Sequence, residues 1–419
     1  MDILLQKFFE PDRWAVAIDT AVKKDMDRSL LRYLSSPNAR LDLYHQIKDG
    51  TYIISPPHEA RIPKDDGTFR TVYVNEGIDR IVLSIINDML FELCPEMVHP
   101  QCKSYQKGIG CGKIVQSVTR MIESIDCQTI GVKMDLSKYF DSVPLRYIDS
   151  VFDYVENKFG PSMIINIIRT YYHTNTVLDI DRNPIKKYSS LRQGCAVAAF
   201  LADTVLYDID KTLSSLNDIY YVRYSDDILI LGDNWEPAYE IFKKMLAEKE
   251  LILNPKKVEI LEKNKWFKFL GFSIKGDQIS LSKSRIQTFE YEIRQRTINN
   301  KSSDPKKIIS DVNRYLYKNQ SDYSWATNVL PIINVEKDIQ TLNAFVMDAI
   351  RAGVTKKHKI GGLGYCSDHN DHTLLRGTGK NVTANRSKIS DLIGYKSINL
   401  MRNALLISRE AYIALTMNM

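Results

Sequence analysis

Apolar residues follow two different spacings along the chain, and together they predict a mixture of helices and strands. Residues 77–93 (GIDRIVLSIINDMLFEL) place apolar side chains at i, i+3, i+4 and i+7, which is typical of an amphipathic helix. Residues 129–134 (TIGVKM) form a short apolar run that predicts a buried strand ending at Asp135. Residues 219–231 (IYYVRYSDDILIL) contain two β-prone runs around a Ser-Asp-Asp tip, which predicts a hairpin with carboxylates at its turn.

The same patterns suggest how the 419 residues are divided. Residues 1 to about 50 have helical spacing, and residues 52–74 are strand-like with an Asp66-Gly67 pair that favours a hairpin turn. From about residue 280 the pattern is mostly helical. A chain of this length suits two or three packed subdomains. We therefore predict one region over 1–280 and a second, helical region over 281–419.

Composition and charge narrow the class of protein only a little. Hydrophobic residues make up 44% and charged residues 26%, as expected for a globular protein. The net charge of +6 permits a polyanionic partner without demonstrating one. The six cysteines have irregular spacings and form no CxxC pair, which favours reduced thiols. We find no signal peptide and no membrane-spanning run, so the sequence predicts a cytoplasmic location.

Carboxylates are the residues that suggest chemistry. Asp135 ends one predicted strand, and Asp226 and Asp227 lie at the tip of the predicted hairpin. If the two strands are neighbours in one sheet, the three carboxylates meet and repel each other unless cations bind. Mg²⁺ prefers oxygen ligands, and two such ions can activate a hydroxyl and stabilise a leaving pyrophosphate. The alternative is an ordinary solvated turn, since turns favour Asp.

Seven motifs in order resemble those of the reverse transcriptase family and span about residues 50–275. The most specific are the Tyr-x-Asp-Asp hairpin at 224–227, the strand VKMDLSKYFDSV, the Gln-Gly element in LRQGCAVAAF, the LNPKK element and Phe269-Leu270-Gly271-Phe272. Upstream, RIPKDDGTFRTVYVNEGIDRIV resembles the fingers segment of group II intron and retron-like enzymes. The segment KSYQKGIG resembles the element that follows it, although imperfectly.

This resemblance implies an α+β right-hand polymerase: fingers, a palm with an antiparallel sheet on helices, and a helical thumb with a C-terminal extension. Fingers and palm would occupy 1–280, and the thumb and an RNA-binding extension 281–419. The implied activity is RNA-directed DNA polymerisation. The implied catalytic residues are Asp135, Asp226 and Asp227. Two Mg²⁺ ions, with Mn²⁺ as a substitute, would bind Asp135, Asp226 and the backbone carbonyl of Leu136, supported by Asp227.

Other roles follow from the same resemblance. Arg61, Lys64 and Arg70 would bind triphosphate oxygens; alternatively they are a solvated basic hairpin. Gln193 and Gly194 would contact the incoming nucleotide and the template; the alternative for Gly194 is a simple helix start.

Two further elements would serve the pyrophosphate and the primer. Lys257 would act as a general acid near the pyrophosphate, or be an ordinary surface lysine. Phe269, Leu270, Gly271 and Phe272 would form the primer grip, or plain core.

Phe140 bears on the choice of substrate. In the family, the aromatic residue five positions after the first metal-binding Asp blocks a 2′-hydroxyl, whereas viral RNA polymerases typically place an Asp there. In this chain Phe occupies position 140 and Asp follows at 141. A bulky apolar wall leaves a 2′-hydroxyl crowded and unpaired, which favours deoxynucleotides. The alternative is that Phe140 only packs the palm.

The C-terminal region carries scattered basic residues. We expect nucleic-acid binding by Lys356, Lys357, Lys359, Arg376 and Lys380. A solvated basic face is the alternative. Cys366, His369 and His372 lie close together, but their spacing does not match a standard zinc finger. A thumb needs fewer residues than remain, so we expect part of this region to bind a dedicated structured RNA.

The branch of the family is predicted by elimination. The Asn-Ala-x-x-His and Val-Thr-Gly elements typical of retron enzymes are missing, and no endonuclease or maturation domain is evident. The chain therefore resembles a stand-alone bacterial defence-associated reverse transcriptase, with type 2 as the leading candidate, which copies a non-coding RNA into cDNA. Alternatives are a retron or group II intron-type enzyme, or a non-catalytic RNA-binding protein on a polymerase scaffold. The expected partners are an RNA template, deoxynucleoside triphosphates and the cDNA product, and no membrane.

Overall fold

A computed structural model describes most of the chain. The described residues are 1–24, 26–64, 67–106, 108–317, 324–356, 363–365, 374–376, 392, 394–399 and 401. The chain divides into two compact units, of which the first contains Met1–Lys107 and Gly131–Ile260. The second contains Gly108–Ile130 and Leu261–Met419. The predicted boundary at residue 280 separates regions of different function. A division into compact units does not test that boundary, so the boundary stays a prediction.

The helices are numbered in chain order. They are α1 Ile3–Phe8, α2 Pro11–Lys23, α3 Arg28–Leu34, α4 Pro37–Lys48, α5 Gly77–Leu93, α6 Cys111–Ser124, α7 Tyr139–Ser142, α8 Leu145–Phe159, α9 Met163–His173, α10 Ala198–Thr204, α11 Tyr207–Ser214, α12 Trp235–Glu248, α13 Lys283–Arg296, α14 Pro305–Tyr317, α15 Trp325–Asn328 and α16 Glu336–Thr355. The predicted helix over 77–93 is confirmed as α5. None of the helices within the described ranges is long and apolar enough to cross a membrane.

The strands are short and mostly antiparallel. They are β1 His58–Pro63, β2 Phe69–Val74, β3 Thr129–Asp135, β4 Thr176–Leu178, β5 Pro184–Lys186, β6 Tyr220–Tyr224, β7 Asp227–Leu231, β8 Glu259–Glu262, β9 Phe267–Phe269, β10 Phe272–Lys275, β11 Gln278–Leu281, β12 Leu363–Tyr365 and β13 Leu374–Arg376. The sheets have the strand orders β6-β7-β3-β8, β2-β1-β4-β5, β11-β10-β9 and β12-β13. Helices and antiparallel sheets together confirm the predicted α+β class.

The sheet that contains β3, β6 and β7 is the centre of the first unit. β7 pairs antiparallel with both β6 and β3, so the predicted hairpin and its neighbouring strand are confirmed. Side chains such as Ile228 and Ile230 belong to one apolar core with residues of α5, α8, α9 and α10. The pairing of β3 with β7 is close at Gly131, where an added Cβ atom would lie 2.1 Å from the carbonyl oxygen of Ile230.

A second sheet of the first unit carries the predicted turn-rich segment. β1 and β2 form an antiparallel hairpin with Pro63 opposite Phe69. The predicted Asp66-Gly67 turn lies partly outside the described residues, but Gly67 has φ +80° and its N–H donates to the Lys64 carbonyl at 3.1 Å. Glycine adopts this left-handed conformation without steric cost. The hairpin prediction is confirmed at this point.

The second unit is mostly helical, as the sequence predicts for its C-terminal part. Its core includes an edge-to-face contact between Phe289 of α13 and Trp325 of α15, with ring centroids 4.6 Å apart. The small sheet β11-β10-β9 is tied to α16 by a hydrogen bond from the buried Ser280 hydroxyl to the buried Asp338 carboxylate. Such a buried acid requires a donor, because an unpaired charge in the interior is costly.

Candidate active site

The three candidate carboxylates meet at one end of the sheet in the first unit. Asp135, the last residue of β3, lies directly opposite Asp227, the first residue of β7. Asp226 precedes it in the turn between β6 and β7, and its carbonyl oxygen accepts a hydrogen bond from the Leu136 N–H at 3.2 Å. Asp135 is only 8% exposed. The expectation that the two strands are neighbours, and bring their acidic ends together, is therefore confirmed.

Burial and neighbouring negative charge raise the pKa of two of these carboxyls. Burial, and then the neighbouring Asp135 charge, raise the pKa of Asp226 above its ordinary value. Burial, followed by the charges of Asp226 and Asp135, raises the pKa of Asp227 to about 6. Like charges in a poorly solvated position disfavour ionisation unless a cation neutralises them. The cluster of carboxylates therefore favours the binding of a cation.

Lys257 brings a positive charge into direct contact with the carboxylate cluster. Its ammonium donates a hydrogen bond to Oδ2 of Asp135 at 2.6 Å, while about half of the lysine side chain stays exposed. Asn254 sets up this contact in two ways. Its N–H donates to the Asp135 carbonyl at 2.9 Å, and its side chain caps the 3₁₀ turn Pro255–Lys257. The LNPKK motif therefore brings its lysine to the carboxylates, and Lys257 is not a solitary surface lysine.

A cleft of about 760 Å³ opens in front of these residues. Its walls combine acidic, basic and aromatic side chains. They are Lys64, Phe69, Arg70, Thr71, Tyr73, Asp135, Leu136, Ser137, Lys138, Tyr139, Phe140, Asp141, Lys187, Tyr188, Gln193, Asp226, Asn254 and Lys257. Three residues predicted for this site do not line the cleft, namely Arg61, Gly194 and Asp227.

The donor set suits a hard divalent cation. In the described part of the chain, no three His, Cys, Asp or Glu side chains are already arranged to hold a metal ion. Two carboxylates, Asp135 and Asp226, do face the cleft, and Leu136 lines the same wall. Oxygen ligands of this kind, with room left for substrate oxygens, are what Mg²⁺ prefers. The residues therefore fit the metal, with Lys257 neutralising part of the charge when it is absent.

The Gln-Gly element is held against β2. The Tyr73 N–H donates to the Gln193 carbonyl at 2.7 Å, which anchors Gln193 at the cleft wall. Gly194 has φ +104°, and an added Cβ would lie 2.9 Å from the Tyr73 carbonyl oxygen. Helix α10 begins only at Ala198. The close approach of the Tyr73 backbone therefore requires glycine at position 194. The alternative, that Gly194 only begins a helix, does not describe this position.

Phe140 forms part of the cleft wall and is also well packed. The residue is 9% exposed, and its ring contacts Tyr139 with centroids 5.6 Å apart. Its carbonyl accepts a hydrogen bond from the Leu191 N–H at 3.1 Å, so the backbone at this point is fixed. A residue that blocks a 2′-hydroxyl must line the cleft, and Phe140 does so. Exclusion of a 2′-hydroxyl by Phe140 stays a prediction.

The predicted primer grip lies in the second unit. Phe269 and Phe272 are 1% and 0% exposed, so both rings belong to the core of that unit. Between them Leu270 and Gly271 have φ +48° and +80° and form the tight turn from β9 to β10. The Arg285 guanidinium stacks over the Phe272 ring at 4.4 Å. Primer contact by this turn stays a prediction.

The C-terminal basic residues are only partly described. Lys356 is the C-cap residue that follows α16, and its ammonium donates to the carbonyls of Ile298 and Asn300 at 3.2 and 2.6 Å. Lys357, Lys359 and Lys380 lie outside the described residues, and only the backbone of Arg376 is described. Cys366, His369 and His372 also lie outside them. Nucleic-acid binding by this region stays a prediction.

Several cleft residues were not predicted from the sequence. Lys187 is the clearest case: it forms an ion pair with Glu59 at 2.6 Å and lies over the Tyr73 ring at 5.6 Å. Asp141 lines the same wall, and burial raises its pKa. Lys187 and Tyr188 follow β5 without any motif that marks them. Asn254 is part of the LNPKK element, so its place in the site could have been predicted from that motif.

Comparison with known proteins agrees with this geometry. The family model "Reverse transcriptase (RNA-dependent DNA polymerase)" matches residues 62–274. The Gag-Pro-Pol polyprotein of Simian retrovirus SRV-2 is 30% identical over 138 residues, which is 32% of this chain and 7% of that protein.

Among solved structures, telomerase from Candida albicans with a TWJ fragment of telomeric RNA matches with a TM-score of 0.40 and 12% identity, covering 73% of this chain and 59% of that one. Apo telomerase from Candida tropicalis gives 0.44 and 13%, covering 73% and 58%. The chain thus spans well under two thirds of the length of these proteins.

Proposed function

This chain belongs to the reverse transcriptase family, and on that premise we propose that it copies RNA into DNA. Its α+β fold is that of a right-hand polymerase. One observation supports the activity above others. Asp135 and Asp226 share a cleft wall with Lys257, while Lys64 and Arg70 line the same cleft. Acidic residues for metal ions and basic residues for phosphates are the two charge types that nucleotidyl transfer requires.

The proposed reaction joins a primer 3′-hydroxyl to the α-phosphate of a deoxynucleotide, with pyrophosphate leaving. Asp135, Asp226 and the Leu136 carbonyl would hold two Mg²⁺ ions, or Mn²⁺ in their place, with Asp227 supporting the site. When bound, the metal ions lower the pKa of the hydroxyl and stabilise the charge on the leaving group. Lys257 donates a proton toward the pyrophosphate.

Substrate binding is assigned to the other cleft walls. Lys64 and Arg70 neutralise the triphosphate, and Arg61 on the same hairpin contributes positive charge nearby. Gln193 contacts the nucleotide, and Gly194 keeps its backbone close enough to do so. The Phe140 ring crowds a 2′-hydroxyl, which selects deoxynucleotides. The turn Phe269–Phe272 holds the primer end.

The activity is tested by primer extension on an RNA template. Asp226→Ala combined with Asp227→Ala is expected to abolish DNA synthesis while leaving the unfolding temperature equal or higher, because it removes mutually repelling charges. A matched control is Asp208→Ala on α11, which removes a carboxylate that is 74% exposed. The control is expected to extend primers normally. Full synthesis by the double variant would contradict the mechanism. Failure of the wild-type protein to extend any primer would instead favour a non-catalytic RNA-binding protein.

For the biological role, we propose that the template is one dedicated, structured non-coding RNA and that the cDNA serves antiphage defence in the bacterial cytoplasm. The support is the resemblance to stand-alone defence-associated enzymes and the long region that follows the family match at residue 274. The basic residues Lys356, Lys357, Lys359, Arg376 and Lys380 in that region would bind the RNA backbone.

Sequencing of co-purified nucleic acid, with and without phage, tests this role. One abundant RNA and its complementary DNA are expected with the wild-type protein. The variant carrying Asp226→Ala and Asp227→Ala should keep the RNA and lose the cDNA. A mixture of random cellular RNAs would contradict a dedicated template. A branched RNA–DNA product would instead indicate a retron enzyme, and RNA splicing an intron-type enzyme.

A further inference from the structure

The residue before Asp226 has an unusual backbone. Ser225 has φ +57°, which is the left-handed region, and it is 6% exposed. A residue with a Cβ atom occupies this conformation at a cost in free energy, unless its surroundings stabilise it. Because Ser225 is joined directly to Asp226, its conformation determines where the Asp226 carboxylate points. The contacts that hold Ser225 are therefore of functional interest.

One contact holds the N–H side of this residue. The Ser225 N–H donates to the Ser104 hydroxyl oxygen at 3.0 Å, and that hydroxyl in turn donates to Oδ1 of Asp203 at 2.5 Å. Ser104 and Asp203 are both 0% exposed. The hydroxyl has a single proton, so its donation to the carboxylate leaves a lone pair directed to the Ser225 N–H. A buried acid on α10 thereby orients the acceptor for the turn.

A second contact holds the carbonyl side. The Arg223 guanidinium donates to the Ser225 carbonyl at 3.2 Å, and it is anchored by two hydrogen bonds to Asp210 of α11 at 2.8 and 2.5 Å. Further donations go to the carbonyls of Ala202 and Asp203 at 3.2 and 2.9 Å. All five N–H groups of the guanidinium are therefore used. Arg223 and Asp210 are 0% exposed, so this ion pair is completely buried.

The strand that carries Arg223 is also fixed at its edge. The Lys103 N–H donates to the Arg223 carbonyl at 2.8 Å, and the Arg223 N–H donates to the Gln101 carbonyl at 3.0 Å. Segment 101–104 thus pairs with the end of β6 and delivers the Ser104 hydroxyl to the turn. Lys103 and Ser104 are the first two residues of the segment KSYQKGIG, whose match to the family pattern is imperfect.

We propose that Ser104 with Asp203, and Arg223 with Asp210, are positioning residues that clamp Ser225 in its left-handed conformation and so orient Asp226 toward the cleft. Buried ion pairs commonly contribute little more to stability than apolar residues of the same shape would. Their value here lies in the geometry of the turn. The consequence for catalysis rests on the proposed polymerase function, whereas the clamp itself is a property of the fold.

Ser104→Ala is the variant that tests the clamp, because loss of Arg223 or Asp210 would leave a buried charge unpaired and threaten folding. A matched control exists in the second unit: Ser280 is likewise 0% exposed, and its hydroxyl donates to the buried Asp338. Ser280→Ala therefore removes the same kind of buried Ser–Asp hydrogen bond at a residue that belongs neither to the turn carrying Asp226 nor to the proposed primer grip. A third variant combines Ser104→Ala with Ser225→Gly.

Three measurements are made on the full chain: unfolding temperature, hydrogen–deuterium exchange of the peptide containing residue 225, and single-nucleotide primer extension at varied Mg²⁺. We expect the two alanine variants to unfold at similar temperatures. Only Ser104→Ala should lose protection at the turn, and its kcat should fall by about 10- to 100-fold with a higher Mg²⁺ requirement, as for residues that orient metal ligands. Ser225→Gly should recover part of the loss, because glycine adopts positive φ freely.

The outcomes separate this proposal from the proposed function. Equal exchange and equal kcat in Ser104→Ala and Ser280→Ala would overturn the clamp. Loss of activity without any recovery by Ser225→Gly would overturn the assignment of that loss to the turn conformation. If the wild-type protein itself extends no primer, the polymerase function fails, and the exchange experiment alone still decides whether the clamp exists.

Discussion

Lys257 and Asp135, 122 positions apart in sequence, form an ion pair of 2.6 Å at the wall of the cleft. The lysine is the exposed partner of the pair and the aspartate is the buried one, since their side chains are 56% and 11% exposed. A metal ion bound by Asp135 would compete with this contact, and Lys257 would then be available as the proposed general acid. The pair therefore connects the proposed metal site with the proposed general acid.

The first prediction concerns this lysine. Lys257→Met should lower the rate of single-nucleotide incorporation by on the order of 100-fold, the usual size of a general-acid contribution. Lys257→Arg should recover little, because a guanidinium does not give up its proton. The measurement is a rapid-quench assay, which follows chemistry instead of product release. Lys256→Met provides the control, since the neighbouring lysine is exposed and lies outside the cleft walls; an equal effect there would exclude a specific role.

The second prediction concerns sugar selection by Phe140. Phe140→Ala should lower the preference for deoxynucleotides over ribonucleotides by on the order of 100-fold, because the space for a 2′-hydroxyl opens. Phe140→Tyr retains the ring and should retain the preference. Both variants are compared through the ratio of kcat/KM for dNTP and rNTP. An unchanged ratio in Phe140→Ala would mean that the ring only packs the fold.

The third prediction concerns the close approach at Gly194. Gly194→Ala should lower the free energy of unfolding by about 1–3 kcal/mol, because a left-handed residue acquires a Cβ atom against the Tyr73 backbone. It should also raise KM for the nucleotide, since Gln193 is displaced. Gly160→Ala is the matched control: Gly160 has φ +85°, but an added Cβ meets nothing within 4 Å. A raised KM in the control would argue against a local effect at Gln193.

The fourth prediction concerns pH and Asp203. Burial raises the pKa of this carboxyl to about 6, and the Arg223 charge only partly opposes that effect. Because the folded-state pKa lies above the unfolded value, the stability from Asp203 is complete below about pH 4 and is lost as the pH rises through 6. Asp203→Asn, which cannot ionise, should therefore match the wild type at pH 4 and exceed it by roughly 2–3 kcal/mol at pH 8.

Urea unfolding at several pH values measures this difference. The asparagine side-chain oxygen can still accept from Ser104, so the clamp around Ser225 should persist and the turn should keep its protection from hydrogen exchange. If the variant were less stable than the wild type at pH 8, the ionised carboxylate would be stabilising the folded protein. That result would contradict the direction of the pKa shift.

Much of the first unit could be predicted because its signals are local. The apolar run before Asp135 and the two runs around Asp226 specify a strand and a hairpin without any knowledge of their partners. The order of motifs then added which strands are neighbours, and the pairing of β3 with β7 confirms it. Helix α5 was predicted to the residue, because its apolar spacing is regular and its ends are clear.

The residues that support the site could not be predicted in this way. Arg223 looks like one more polar residue in a strand until Asp210, on a different element, is known to face it. Ser104 and Asp203 are 99 positions apart, and a short polar residue carries no signal of a buried partner. Lys187 follows a strand of three residues, too short to predict from periodicity. Such long-range pairs form when distant segments pack together, and the local sequence pattern does not show which segments do so.

The pairing of β3 with β7 also limits which changes of chain length the gene can tolerate. Asp135 lies opposite Asp227 only while Gly131 lies opposite Leu231. Inserting or deleting one codon within either strand would shift the register by one residue and move every side chain beyond that point to the other face of the sheet. At Gly131 the backbones are too close for any larger residue to absorb the shift. Length variation among related sequences should therefore concentrate in connections such as residues 179–183, and both strands should be free of insertions and deletions.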